Sequence, residues 1–114
     1  MAEYMSWAEC ADTKEWLEQT GIRTTEASFR TPPAFPYQTF FEFWETQGPD
    51  MVPGALQLVE IHVDQYQETK NRDHEHLLED LLAQEGVNYT KERTWVDTEK
   101  MWQTAYEFSL FKKG

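Results

Sequence analysis

Positive charge, cysteine and long apolar runs are scarce in this sequence, and each scarcity closes off a class of function. Ten Lys and Arg stand against 21 Asp and Glu, a net charge of −11. Nucleic-acid affinity comes mainly from cations that displace counterions along a phosphate backbone, so tight or sequence-specific DNA or RNA binding is not expected. The single cysteine, Cys10, has no partner for an internal disulfide and no adjacent basic residue to hold it as a thiolate. It reads as an inert small residue on a helix. No apolar run approaches the roughly 20 residues that cross a bilayer, and MAEYMSWAEC lacks the basic start and apolar core of a secretion signal. A cytosolic protein without membrane contact is the expectation.

The arrangements that carry catalysis are missing as well. No Gly-rich phosphate loop, nucleophile elbow or acid–base triad spacing occurs. A length of 114 residues leaves little chain to build a sugar-binding cleft between paired carboxylates. In DHEH, His74 and His76 stand two apart on an expected helix and face about 200° away from each other, so they do not chelate one ion. His62 falls on a separate strand. Neither a catalytic residue, a cofactor nor a metal site is expected.

What is present is enough for one packed domain, spanning residues 1–114. The chain is 39% hydrophobic and 15% aromatic, and both are spread along its whole length. In residues 6–19 the spacing of Trp7, Cys10 or Ala11, Trp16 and Leu17 predicts a helix, with a second cap available at Asp12-Thr13 and a stop at Gly21. RTTEASFR (23–30) reads as a strand, and Pro32, Pro33 and Pro36 then force an extended crossing. YQTFFEFWE (37–45) is a strand with Tyr37, Phe41 and Phe43 on one face and Phe40 and Trp44 on the other. In ALQLVEIHVDQYQ (55–67), Val59, Ile61 and Val63 alternate with Glu60, His62 and Asp64, and QGPDMVPG joins the two strands as a hairpin.

A second helix is expected over 72–86, with His74, Leu77, Leu78, Leu81 and Leu82 on one face, acids opposite, and Gly86 as its C-cap. Strands over 87–97 and 101–111 follow, and Trp102, Tyr106, Phe108 and Leu110 share a face of the last one. The fold class is α+β: a mostly antiparallel sheet of four to five strands with two helices packed on one face.

Five Trp, five Tyr and seven Phe exceed what one small core with one wet sheet face requires. The surplus points to interfaces, where Trp, Tyr and Met are enriched. Trp44, on the second face of its strand, and Met51 and Val52, between the two turn signals of the hairpin loop, are the candidate contact residues, together with Lys70 and Arg72.

From FPYQTFFEFWE through LVEIHVDQYQETKNRD and the Leu-rich acidic helix to GVNYTKERTWVDTEKMWQTAYEFSL, the order of segments resembles a family of small proteins from phages and prophages of Gram-positive bacteria. In that family a proline-rich lead-in precedes an aromatic strand, a strand ending in a Tyr-Thr-Lys-Asp-like turn, a helix, and a last hairpin with a Glu-Lys-Tyr-Gln-like motif. Tyr66, Thr69, Lys70 and Asp73 correspond to the first motif, and Glu99, Lys100, Trp102 and Gln103 to the second. The likeness covers residues 31–110. It departs in the QETKNRD turn, longer by a residue or two, and in QGPDMVPG, which replaces the usual Asp-rich loop, so contacts made there differ.

Such proteins are similar to the tail-terminator and head–tail joining proteins of long-tailed phages. The resemblance implies a virion protein at the head-proximal end of the tail, assembled in the host cytoplasm. It implies a six-fold homo-oligomeric ring that caps the tail tube, stops its growth and meets the head–tail connector protein. DNA would pass through the channel, for which an acidic lining suits better than a basic one. Glu60, Asp64 and Glu107, on expected polar strand faces, are the candidate lining residues. The alternative from another class is a small acidic adaptor, or a nucleic-acid mimic that blocks a host protein. The two part on self-assembly, since a ring must bury two different faces of each copy.

Overall fold

The computed structural model describes residues 4–31, 33–45 and 56–113. The Met51 and Val52 assignments therefore lie outside the described residues. The expected first helix is divided at Asp12, which is extended (φ −156°) and whose carboxylate accepts the Glu15 N–H at 2.8 Å. An Asp that bonds an amide three residues on favours starting a helix over continuing one. A 3-10 turn, Trp7–Glu9, thus precedes α1, Thr13–Glu18, and Gly21 leaves the segment in the left-handed region at φ 81°.

Five strands follow: β1 (Arg23–Glu26), β2 (Tyr37–Glu45), β3 (Leu56–Gln67), then α2 (Asp73–Glu85), β4 (Tyr89–Val96) and β5 (Met101–Lys113). They form one sheet in the order β1-β2-β3-β5-β4. The pairs β2–β3, β3–β5 and β4–β5 are antiparallel, whereas β1 lies parallel to β2, so the sheet is mixed. β2 starts beside the start of β1, with Arg23 opposite Tyr37. β1 is shorter than the RTTEASFR pattern suggests. Ala27 turns into the left-handed region at φ 67°, and its N–H donates to the Phe40 carbonyl at 2.8 Å.

The register sorts the side chains as the alternation predicts. Phe40, Val63 and Tyr106 form one cross-strand row, and Val59–Leu110 and Ile61–Phe108 are neighbouring pairs on the same face. These residues join Trp16 and Leu17 of α1 and Leu78, Leu81 and Leu82 of α2 in a single buried cluster. We call this the covered face. Burying each of these large side chains contributes roughly 1.5–3 kcal/mol, which makes the cluster the main source of stability. Cys10 lies in it, and burial, followed by the charges of Glu15 and Glu9, pushes its thiol pKa up. None of the described helices is long and apolar enough to cross a membrane.

One acid departs from the amphipathic reading of α2. Glu75 is 1% exposed. Lys91 Nζ stands 2.7 Å and Arg93 Nε 3.0 Å from its two carboxylate oxygens. Lys91 also holds Glu79 at 2.7 Å, and Glu79 accepts the Tyr106 hydroxyl at 2.8 Å. Burial alone would lower the Lys91 pKa, yet the hydrogen bonds and charges of Glu75 and Glu79 outweigh it and raise it. Burial and the bond to Glu79 hold the Tyr106 phenol neutral, far above its usual value. This network fastens α2 to β4 and β5.

Candidate functional site

The face opposite the core carries the functional candidates. Along it, alternation places Tyr37, Thr39, Phe41, Phe43 and Glu45 of β2 beside Tyr66, Asp64, His62, Glu60 and Leu58 of β3, and next to Gln103, Ala105, Glu107, Ser109 and Phe111 of β5. Glu60, Asp64 and Glu107 therefore share one face. His62 stands between two of them, with Nε2 3.0 Å from Glu60 Oε1 and Nδ1 3.5 Å from Glu107 Oε1, and the Phe43 ring packs edge-on against it at 5.1 Å. Asp64 accepts a hydrogen bond from Gln103 Nε2 at 3.2 Å. Among the described residues, Glu60, His62 and Glu107 are the group whose donor atoms come within reach of a common cation, all lying within 4.8 Å of one another. Each ring nitrogen of His62 already faces its own carboxylate, at 3.0 and 3.5 Å.

Beside this acidic centre the open face is apolar. Phe41, Phe43 and Phe111 are exposed large hydrophobics, Phe43 at 53% and Phe111 at 62%. Exposed aromatic surface of this kind on one face of a sheet is costly in water. Trp44 turns to the other side of β2, where its ring lies 6.3 Å from that of Trp7 while nearly half of it stays exposed. It supports the 3-10 turn as well as offering surface.

The opposite end of the sheet brings the two sequence motifs together. Gln67, at the close of β3, is the direct cross-strand partner of Trp102 in β5. The rings of Trp95 and Trp102 lie 5.3 Å apart, and with Glu68 and Lys70 they line a recess of about 470 Å3. Arg93 donates from Nη2 to the Lys70 carbonyl at 2.9 Å, which fixes the turn before α2. On the open face at this end Tyr66 stacks on Tyr37 (4.9 Å between ring centres) and Tyr37 on Phe35 (5.6 Å). Burial, the largest cause for both, raises the pKa of the two phenols, so they remain neutral contact groups.

Lys70 and Arg72 are exposed, and among the described residues no acid pairs with either; the Arg72 carbonyl starts α2 by accepting the His76 N–H at 3.0 Å. Segments 67–73 and 93–103 together hold four cations (Lys70, Arg72, Arg93, Lys100) and four acids (Glu68, Asp73, Asp97, Glu99), so the whole −11 of the chain resides elsewhere. The tip is thus the place where another acidic body meets least repulsion.

The structure thus places Glu60 and Glu107 about His62, Asp64 farther along the same face beside Gln103, Lys70 at the tryptophan recess, Arg72 beside it, and Trp44 on the covered side near the N-terminal turn. Sequence reasoning assigned no contact role to Trp95, Phe43 or Phe111. The signal for the two Phe was period-two alternation with Glu60 and Glu107, whereas Trp95 is identified only by its cross-strand pairing with Trp102. No family model, no curated protein and no solved structure matches this chain.

Proposed function

We propose that this protein is a structural, non-catalytic subunit of a homo-oligomeric ring, of the kind that caps a phage tail tube, ends its growth and meets the head–tail connector. The observation that carries this reading is the open face. Among the described residues that side of the sheet carries Glu60, Asp64 and Glu107 on its strands, with Phe41, Phe43 and Phe111 exposed beside them. A monomer gains nothing from that apolar surface, whereas a closed assembly buries it and keeps the carboxylates for a channel that lets DNA pass without holding it. The order of motifs over residues 31–110 supports the same reading. A hexamer needs two different contact faces per copy, and the apolar end of the open face and the tryptophan tip supply two of different chemistry.

The test is the solution mass by light scattering during size-exclusion chromatography, over a concentration series and with purified tube protein. A hexamer in either condition is the expected result. A chain that stays monomeric in both overturns the ring and favours an acidic adaptor or nucleic-acid mimic, for which the Glu60–Asp64–Glu107 face would be the phosphate-like element.

A further inference from the structure

On the open face one histidine stands between two carboxylates. Glu60 and His62 are two apart on β3 and so point to the same side, and the register sets Glu107 of β5 directly opposite His62. Glu60 Oε1 lies 3.0 Å from His62 Nε2, and Glu107 Oε1 lies 3.5 Å from Nδ1. The Phe43 ring, edge-on to the imidazole at 5.1 Å, limits how far it turns.

The donors of this cluster do not balance. A neutral imidazole carries one N–H and one bare nitrogen, and an ionised carboxylate only accepts. With a carboxylate at each ring nitrogen, one of the two therefore faces a lone pair. A positive centre between them removes that repulsion, either a second proton on the ring or a metal ion. The distances favour the ion. A proton held between imidazolium and carboxylate draws the two atoms to about 2.7–2.9 Å, and Glu107 stands well outside that range. Two ligands each about 2.1 Å from one tetrahedral ion are about 3.4 Å apart, close to the spacing observed. The third donor is near as well, since one atom from each of the three side chains lies within 4.8 Å of the others. Ligands of a shared ion are at most about 4.2 Å apart, so the set closes by a turn of the Glu60 carboxylate, which is half-exposed.

We propose that Glu60, His62 and Glu107 hold one divalent transition-metal ion of the Zn2+ class, through one ring nitrogen and one oxygen of each carboxylate. Imidazole together with carboxylate selects such an ion over Ca2+ or Mg2+, which take oxygen ligands. The two carboxylates and a neutral ring supply the −2 that a divalent cation balances, and both acids are exposed, so the ion enters from solvent. All three ligands belong to one copy, so the site goes beyond the ring reading and stands without it. His62 has no second histidine close to it in sequence, and Glu107 reaches it only through the β3–β5 register.

The experiment is calorimetric titration with Zn2+, and separately with Ca2+, in a Cys10→Ser background that removes the one thiol. The variants are His62→Ala, Glu107→Gln and, as a control, His76→Ala at an exposed position of α2. One Zn2+ per chain is expected, weakened at least about tenfold by His62→Ala and by Glu107→Gln and unchanged by His76→Ala. Co2+ in place of Zn2+ is expected to give visible absorption bands that His62→Ala abolishes, and metal-free thermal midpoints check that each variant is folded. Absence of binding, or equal binding by the parent and His62→Ala, overturns the proposal. Ca2+ held as tightly as Zn2+ overturns it too, since an unselective acidic surface would explain that result. Light scattering of the metal-free protein keeps the two readings apart: a hexamer that binds no Zn2+ removes the metal site and leaves the ring standing.

Discussion

The Arg93 guanidinium lies 4.1 Å above the ring of Trp102, and the same side chain reaches the buried carboxylate of Glu75 at 3.0 Å. One residue thus ties the exposed tryptophan recess to the interior. The cation over an indole face adds about 0.5–1 kcal/mol at a site still open to water. Its larger effect is positional, because Arg93 cannot leave Trp102 without leaving Glu75.

Glu75→Gln is therefore expected to destabilise the fold by about 2–3 kcal/mol in urea denaturation. Removing one partner of a buried ion pair costs roughly 3–5 kcal/mol, and partial access of water to the two stranded cations reduces that figure. Intrinsic tryptophan fluorescence should shift in the same variant while it is still folded, as Arg93 loses its anchor over Trp102. A Glu75→Gln protein as stable as the parent would show that the network contributes little.

The same network predicts how stability depends on pH. For Glu79, burial would raise the carboxyl pKa, but the hydrogen bonds from Lys91 and Tyr106 dominate and lower it from 4.5. A depressed carboxylate stabilises the fold above its unfolded value and loses that contribution as pH falls through the folded one. Lys91 is raised above 10.5, so its share is present below that pH and lost as pH climbs through the higher folded value. Thermal midpoints should be flat near neutrality and fall on the acid side below about pH 4.5. Glu79→Gln should lower the neutral plateau and flatten the acid limb, and an unchanged limb would assign it to other carboxylates.

How much of this was legible in advance follows from where polar residues sit. The faces of β2, β3 and β5 were readable because Val59, Ile61 and Val63 alternate strictly with Glu60, His62 and Asp64. The end of that pattern was not. Gln38 and Gln65 pair on the covered face and are buried. Gln65 Nε2 donates to Gln38 Oε1 at 3.2 Å and to the His74 carbonyl at 3.0 Å. A buried amide is acceptable only when its partners are in place, and those partners come from distant segments, Leu17, Thr20 and Thr24 for Gln38 and the His74 carbonyl for Gln65, a convergence that no local pattern announces. Glu75 was hidden in the same way, since its burial depends on two cations from β4. The parallel placement of β1 depends on the path of 27–36, where prolines exclude a central strand without saying which way the chain returns.

Ala27 offers a test of local backbone chemistry. It is exposed and held at φ 67°, a region where a Cβ costs about 1–2 kcal/mol and glycine costs little. Against this, glycine gives the unfolded chain more freedom to lose. Ala27→Gly should therefore gain about 0.5–1 kcal/mol, a rise of a few degrees in the thermal midpoint. A fall in the midpoint would mean that the turn relaxes once β1 is free of it.

Trp95 and Trp102 separate stability from association. Trp95 is 41% exposed, so Trp95→Ala should cost under about 1 kcal/mol of folding free energy, within the range of surface substitutions that remove some packing. Aromatic anchors at an interface cost more than 2 kcal/mol when truncated, a loss of roughly thirtyfold in affinity. Trp95→Ala should then assemble poorly, alone or on tube protein, while unfolding almost like the parent. Equal losses in both would assign Trp95 to the fold.

The three acids of the open face give the last prediction, and it bears on which way that face points in an assembly. Glu60→Lys, Asp64→Lys and Glu107→Lys together change the charge of one copy from −11 to −5, since each reversal adds two units and three add six. If these positions line a channel, they meet water in the ring, and the reversed protein should still assemble. Six copies would then present eighteen added cations around the bore, and duplex DNA should bind with micromolar strength at low salt, weakening steeply as salt rises, as counterion release requires. The parent should show no such binding. If instead the three positions are packed against a neighbour, lysines there are buried without partners, and the oligomer is lost at any salt concentration. Sedimentation of the variant, with and without a short duplex, distinguishes a lining from a contact, and loss of the oligomer would move the channel to another face.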